Sequence, residues 1–227
     1  METKNLDVVY FVKDGISNEE LRYSIRSVCK NMPFNRIWIF GGCPKNIVPD
    51  VRIRVKQEGK TKWDKVRNMF IMACENKELS DYFILFNDDF FVMKPTDEIE
   101  PWYRSTLEEH IKVLHQGAYC NLLKQVSSEL GEGALSYEVH TPFIFNKKKL
   151  LKLIKDTPEL HCTRTMYGNR YKIKGTKHHD IKLFGGKPNF NYKEEIFLST
   201  DDGSITPNHD AWRYIKKQFQ DKCEYEI

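Results

Sequence analysis

Two acidic residues in succession, Asp88 and Asp89, stand between apolar runs: residues 82–86 come before them and Phe90-Phe91-Val92-Met93 after. Neighbouring carboxylates are hard oxygen ligands. A divalent cation held by them keeps coordination positions open for phosphate oxygens, so the turn Asn87-Asp88-Asp89 suits a metal–diphosphate complex. An acidic turn chosen for its own hydrogen bonds is the plainer reading. The apolar segments on both sides favour the ligand, because the pair is not part of a polar loop. Asp201-Asp202-Gly203 repeats the pattern after residues 196–199 and could complete the metal or substrate shell. A simple Asp-Gly turn explains it equally well.

Other side chains of suitable chemistry are spread along the chain. Asp14, followed by Gly15, could contact a nucleotide base or ribose, or merely turn the backbone. Arg67 falls beside the apolar face of a helix, with Lys60, Lys62 and Asn68 around it, and from there could reach a diphosphate; a solvated helix residue is the alternative. His140 lies in the apolar stretch Val139-His140-Thr141-Pro142-Phe143, a setting in which imidazole protonation can be tuned for acid–base work. Arg164, Arg170, His178 and His179 offer cationic contacts to phosphate. Lys172, Lys174 and Lys177 join the two histidines in one basic concentration, either a solvated loop or a phosphate-contacting one. No Ser-His-Asp arrangement, zinc spacing, P-loop or Gly-x-Gly-x-x-Gly is present, which removes several enzyme classes.

The elements that must position these residues alternate. Residues 7–12 read as a buried strand, with Val8, Val9, Tyr10 and Phe11 unbroken. Ser17 or Asn18 can cap a helix with Leu21, Ile25 and Val28 on its apolar face, closed by Pro33. Strands follow at 36–40 and 51–55, a helix at 63–75 carrying Val66, Met69, Phe70 and Ala73, and a strand at 82–86. Such alternation implies an α/β fold with a mostly parallel sheet flanked by helices. Open sheets of this kind bind ligands beyond the carboxyl ends of their strands, so the loops after Phe11, Phe40 and Phe86 should share one rim. Later elements are less regular: helices around 107–114 and 150–154, an extended stretch at 137–146, a strand at 195–200 and a last helix through Trp212, Ile215 and Phe219.

The 227 residues suit one domain, with 1–100 as a nucleotide-binding half and 101–227 as an acceptor and catalytic half. A net charge of +4 is mild and compatible with a phosphate-binding groove. The six cysteines lack metal-ligand spacing and are too dispersed for a disulfide scaffold, so a reducing, cytoplasmic setting is expected. No signal-peptide pattern or membrane-spanning run occurs.

Several stretches together resemble the Stealth proteins, a family of sugar-1-phosphate transferases that includes capsule polysaccharide phosphotransferases. Asp7-Val8-Val9-Tyr10-Phe11-Val12-Lys13-Asp14-Gly15 is similar to their opening block. Glu20-Leu21-Arg22-Tyr23-Ser24-Ile25-Arg26-Ser27 and Asn35-Arg36-Ile37-Trp38-Ile39 are similar to the second, and the run through Asn87-Asp88-Asp89 also matches. His140-Thr141-Pro142 resembles a later block, and Phe197-Leu198-Ser199-Thr200-Asp201-Asp202 the last. The likeness is dense over residues 7–95 and sparse beyond. It implies a GT-A-like (Rossmann-like) nucleotide-sugar fold, with Asp88 and Asp89 at a divalent metal, Mn or Mg, and the donor diphosphate. His140, Arg164 or Arg170, and Asp201 or Asp202 are the implied catalytic and acceptor shell. GT-A glycosyltransferases use a comparable acidic turn but pass on the glycosyl group rather than the sugar phosphate, and both bonds stay open here.

The expected activity is transfer from a nucleoside-diphosphate sugar to an acceptor hydroxyl, on a glycan or on modified DNA. The rival reading is a nucleic-acid-binding module that uses the basic region at 172–179.

Overall fold

A computed structural model describes residues 1–15, 17–56, 61–159, 161–185 and 188–227; Lys60 and the side chain of Lys62 lie outside the described residues. Its centre is a five-stranded sheet in the order β3-β2-β1-β4-β7. Strands β1 (Asp7–Val12), β2 (Ile37–Gly41), β3 (Val51–Ile53) and β4 (Tyr82–Phe86) run parallel, while β7 (Phe143–Asn146) closes one edge antiparallel to β4.

Alternation explains why these strands read as unbroken apolar runs. Val9, Trp38, Phe40, Phe83, Leu85, Phe143 and Phe145 face one core. Val8, Tyr10, Val12, Ile37, Ile39, Ile84 and Phe86 face a second on the opposite side. With both faces buried, the middle of a central strand reads as an unbroken apolar run, while Asp7 at the start of β1 is buried only because Asn35 and Arg36 pair with it. Helices α2 (Lys62–Glu75) and α5 (Lys147–Asp156) cover the first face, and α1 (Glu19–Asn31) packs on the second. Helix α2 begins in a capping box between Thr61 and Asp64, which satisfies two of its exposed amides.

The second half differs from its sequence reading in detail. Only Phe143–Asn146 of the extended stretch joins the sheet. Helix α3 (Leu107–Leu114) forms as expected, but α4 (Ala118–Leu130) and α6 (Thr163–Arg170) are additional. Strand β9 (Phe197–Ser199) pairs antiparallel with β5 (Phe90–Val92), and β8 (Thr176–Lys177) pairs with β6 (Trp102–Tyr103). The last helix, α7 (Asp210–Gln218), buries Ala211, Trp212 and Ile215. No described helix is long and apolar enough to cross a membrane.

One glycine sets how closely the rim loops approach. A Cβ on Gly42, just past β2, would stand 2.3 Å from the Lys13 carbonyl oxygen and 2.8 Å from the Asp14 Cα. Both obstacles are backbone and cannot swing aside. Gly42→Ala is therefore expected to destabilise the chain by ~1–3 kcal/mol, readable as a lower urea midpoint.

Candidate active site

The parallel strands put the loops after β1, β2 and β4 on one rim, with Tyr10 opposite Phe86. At that rim the chain leaves β4, turns with the Phe90 amide donating to the Asn87 carbonyl (3.2 Å), and reverses into β5. Asp88 and Asp89 occupy the corner, both half-buried. Asn18 serves two neighbours there: its Oδ1 caps α1 by accepting from the Leu21 amide (2.8 Å), and its Nδ2 donates to Asp88 Oδ2 (2.6 Å). The positive end of α1 thus lies beside the acidic turn. Pairing of β5 with β9 sets Ser199 opposite Phe90. Asp89 Oδ2 then accepts from both Ser199 Oγ and Lys182 Nζ, each at 2.8 Å. Glu20 joins from α1, accepting from Thr200 Oγ1 (2.5 Å), while the Thr200 amide donates to the Asp89 carbonyl.

Charge at this corner is unbalanced. Burial, then the nearby Asp89 and Asp88 carboxylates, pushes the Glu20 carboxyl up to about 7 despite its Thr200 bond and the pull of Lys182. Burial also raises Asp88, with Asn18 and Lys182 opposing and Asp89 adding to the shift. Because the folded-state pKa of Glu20 exceeds its ordinary 4.5, the resulting stability is present at low pH and lost as pH rises from about 4.5 to 7. Glu20→Gln should remove that loss. Its stability relative to wild type should grow by on the order of 1 kcal/mol between pH 5 and 8, as urea midpoints would report.

Two further groups complete the corner. Arg164 lies with its guanidinium carbon 5.3 Å from the Phe90 ring centroid, and Nη1 donates to the Val139 carbonyl (3.2 Å). Its Nε is buried with no hydrogen-bond partner among the described residues. Burial lowers its pKa, against the attraction of Glu138 and Asp89. His140 is gripped through Nδ1 by Asp180, at 2.8 Å and 3.0 Å to the two carboxylate oxygens. Arg104 Nη1 sits 3.3 Å from the same carboxylate. Burial works to raise Asp180, but the bond and charge of His140, then Arg104, bring it below the ordinary carboxylate range. A carboxylate on Nδ1 leaves Nε2 as the nitrogen that can exchange a proton.

The structure thus gathers Asp88, Asp89, Arg164 and, through residues 180–182, His140 into one neighbourhood. Asn87 contributes the carbonyl of the turn, and Asp14 is exposed on the adjoining loop. Asp201 lies next to the corner, but its Oδ1 accepts from the Ser204 amide (2.8 Å) in a local turn, and Asp202 faces solvent. Arg67 is not brought there: its Nη2 donates to the Ile154 carbonyl near the end of α5 (3.1 Å), with Asn68 half-buried beside it on α2. Nor is Arg170. Helix α6 runs toward the end of β7 away from the rim, where the Tyr167 hydroxyl accepts from the Asn146 amide and the Tyr171 hydroxyl donates to the Lys149 carbonyl. His178 and His179 group instead with Glu195. Glu20, Asp180 and Lys182 were not picked out from the sequence. Lys182 alone carries a sequence-level sign, a charge between Ile181 and Leu183; Glu20 and Asp180 each follow polar residues.

The donor set fits a hard divalent ion. Asp88 and Asp89 supply oxygen only, and their carboxylates stand close enough to add, after burial, to the upward shift of Glu20. Any such ion must share Asp89 with the Lys182 ammonium.

No protein-family model and no curated protein matches the chain. Solved structures do. The galactosyltransferase LgtC, in complex with donor and acceptor sugar analogues, aligns at a TM-score of 0.51 and 11% identity over 95% of this chain and 95% of that one. An active-site mutant of LgtC aligns at 0.50 and 11% identity, over 96% of this chain and 98% of its own. The chain has the α/β, GT-A-like fold of these glycosyltransferases.

Proposed function

We propose that the chain is a glycosyltransferase that takes a nucleoside-diphosphate sugar and modifies an acceptor hydroxyl. The carrying observation is the corner itself: paired carboxylates at the carboxyl rim of a parallel sheet, flanked by Lys182 and by a buried Arg164 whose Nε lacks a partner among the described residues. That combination suits a diphosphate accompanied by a cation. The donor and acceptor analogues bound by LgtC support the same reading.

In this proposal Asp88 and Asp89 would hold Mn or Mg, which would supply charge neutralisation on the diphosphate. Arg164 and Lys182 add fixed positive charge where the leaving phosphate gains negative charge. Asp180 orients His140, so that Nε2 can accept the proton of the acceptor hydroxyl. The acceptor oxygen bonds to the anomeric carbon, and the anomeric C–O bond breaks with its electron pair leaving on the diphosphate. Residues 1–100 contribute the acidic turn, while 101–227 supply His140, Arg164 and Lys182, within one catalytic unit. A glycan acceptor is the reading we adopt. It follows the acceptor sugar analogue bound by LgtC; of the basic stretch only His178 and His179 are drawn to Glu195, while Lys172, Lys174 and Lys177 stay exposed. Six free thiols suit a cytoplasmic site of action.

The test is incubation with a panel of nucleoside-diphosphate sugars plus Mn or Mg, followed by identification of the released nucleotide. A nucleoside diphosphate supports glycosyl transfer. A nucleoside monophosphate would mean that phosphorus is attacked instead, the chemistry of the Stealth proteins whose blocks the sequence resembles. No metal-dependent release with any donor would refute both. Lys182→Ala, which frees Asp89, should tighten Mn binding about tenfold by titration, equivalent to ~1.4 kcal/mol, while slowing turnover.

A further inference from the structure

Away from the acidic turn, a second group of ligand atoms converges. Nitrogen atoms of His178 and His179 and a carboxylate oxygen of Glu195 all lie within 4.8 Å of one another. His179 Nε2 is 3.0 Å from Glu195 Oε1, and His178 Nε2 is 3.8 Å from Glu195 Oε2. A tetrahedral ion with bonds of about 2.0–2.1 Å holds its ligand atoms roughly 3.4 Å apart, between those two distances. The tautomer is also arranged. His178 Nδ1 stands 2.9 Å from the His179 carbonyl oxygen, which cannot donate, so Nδ1 carries the proton and Nε2, on the Glu195 side, is the nitrogen left to bind an ion. Metal-binding histidines are commonly fixed by this kind of backbone bond.

The surroundings hold the first ligand still. The His178 ring lies flat on Trp102, with centroids 3.8 Å apart and planes 6° from parallel. The His178 amide donates to the Tyr103 carbonyl (2.9 Å). Glu195 is largely buried, its side chain 12% exposed. His179 is the adaptable member. It is half exposed and stacks on His178 at 4.5 Å, so its ring must swing away for its in-plane lone pair to meet an ion.

We infer that His178, His179 and Glu195 form a binding site for a zinc-class transition-metal ion, separate from the acidic turn. Two imidazoles and one carboxylate favour zinc, nickel or copper, whereas the oxygen-only turn favours magnesium or manganese. The ion would tie His179 to Glu195. Next to His179 in sequence come Asp180, which grips His140, and Lys182, which pairs with Asp89. A metal here would therefore brace the segment that positions both.

The test is zinc binding by untagged protein, in competition with a chromophoric chelator. The expected result is one zinc per chain, with affinity reduced by on the order of 100-fold in both His179→Ala and Glu195→Gln, and a zinc-dependent rise in Tm in wild type that both variants lose. His179 is exposed enough for its alanine variant to fold, which the circular dichroism of the metal-free protein would verify. An Asp88→Asn/Asp89→Asn variant should keep the zinc affinity. Absence of a stoichiometric zinc in wild type, unchanged affinity in folded His179→Ala, or loss of zinc in the Asp88/Asp89 variant would each overturn the inference.

Discussion

Asp88→Asn combined with Asp89→Asn is expected to lower donor turnover by on the order of 10³-fold, the scale on which preorganised charge and a bound cation act in transfer reactions. The substitutions preserve shape and leave one oxygen on each side chain to accept from Asn18 or from Ser199 and Lys182, so the fold should persist. Two opposing electrostatic effects act on stability. Removing two carboxylates relieves the repulsion that adds to the effect of burial on Glu20, but it also leaves the Lys182 ammonium without its closest anion. Neither is large at a half-buried rim. Released nucleotide measured with saturating donor, alongside Tm, separates chemistry from folding. Turnover near the wild-type rate in the folded double variant would remove the turn from the mechanism.

The largest expected effect on stability lies at the other end of α1. Arg26 and Glu226 form a pair that solvent hardly reaches, with side chains 6% and 1% exposed and Nε 2.5 Å from Oε1. Nη2 reaches Oε2 at 2.7 Å, and Nη1 donates to the carbonyls of Phe219 and Gln220. One guanidinium thus fastens the C-terminal segment to α1. Arg26→Ala leaves the Glu226 carboxylate buried and unpaired, and should destabilise the chain by ~3–5 kcal/mol in urea unfolding. Arg26→Met with Glu226→Leu, which replaces the pair by apolar volume, should recover most of that loss, because a buried ion pair gains little over well-packed hydrocarbon. Equal stability of Arg26→Ala and wild type would contradict this account.

Legibility of the fold followed burial. Val8-Val9-Tyr10 and Phe83-Ile84-Leu85 stood out because their strands are covered on both faces, which leaves no polar position to blur the pattern. Helix α6 was not legible, since Thr163, Thr165 and Gly168 are poor helix formers. Tertiary fit decides it: a Cβ on Gly168 would stand 2.6 Å from the Tyr137 ring, so the glycine is there for closeness. Residues 137–146 look extended throughout, yet only those that can pair with β4 become strand. At the site, Asp88 and Asp89 could be read because they interrupt apolar runs. Lys182 could not. Its partner Asp89 is 93 positions away, and they meet only once β5 and β9 have paired. Asp180 was hidden in the same way, and without it His140 is one more imidazole near a proline.

Asparagine at position 18 is more constrained than its helix-capping role suggests. Aspartate caps a helix equally well, but here it would set a third anion against Asp88. Serine has a single short-reaching oxygen and cannot address both neighbours at once. Only a side chain with a separate donor and acceptor can start the helix and steady the acid together. A cation drawing Asp88 away would therefore loosen the first turn of α1, making amide exchange at Leu21 a remote gauge of what occupies the rim.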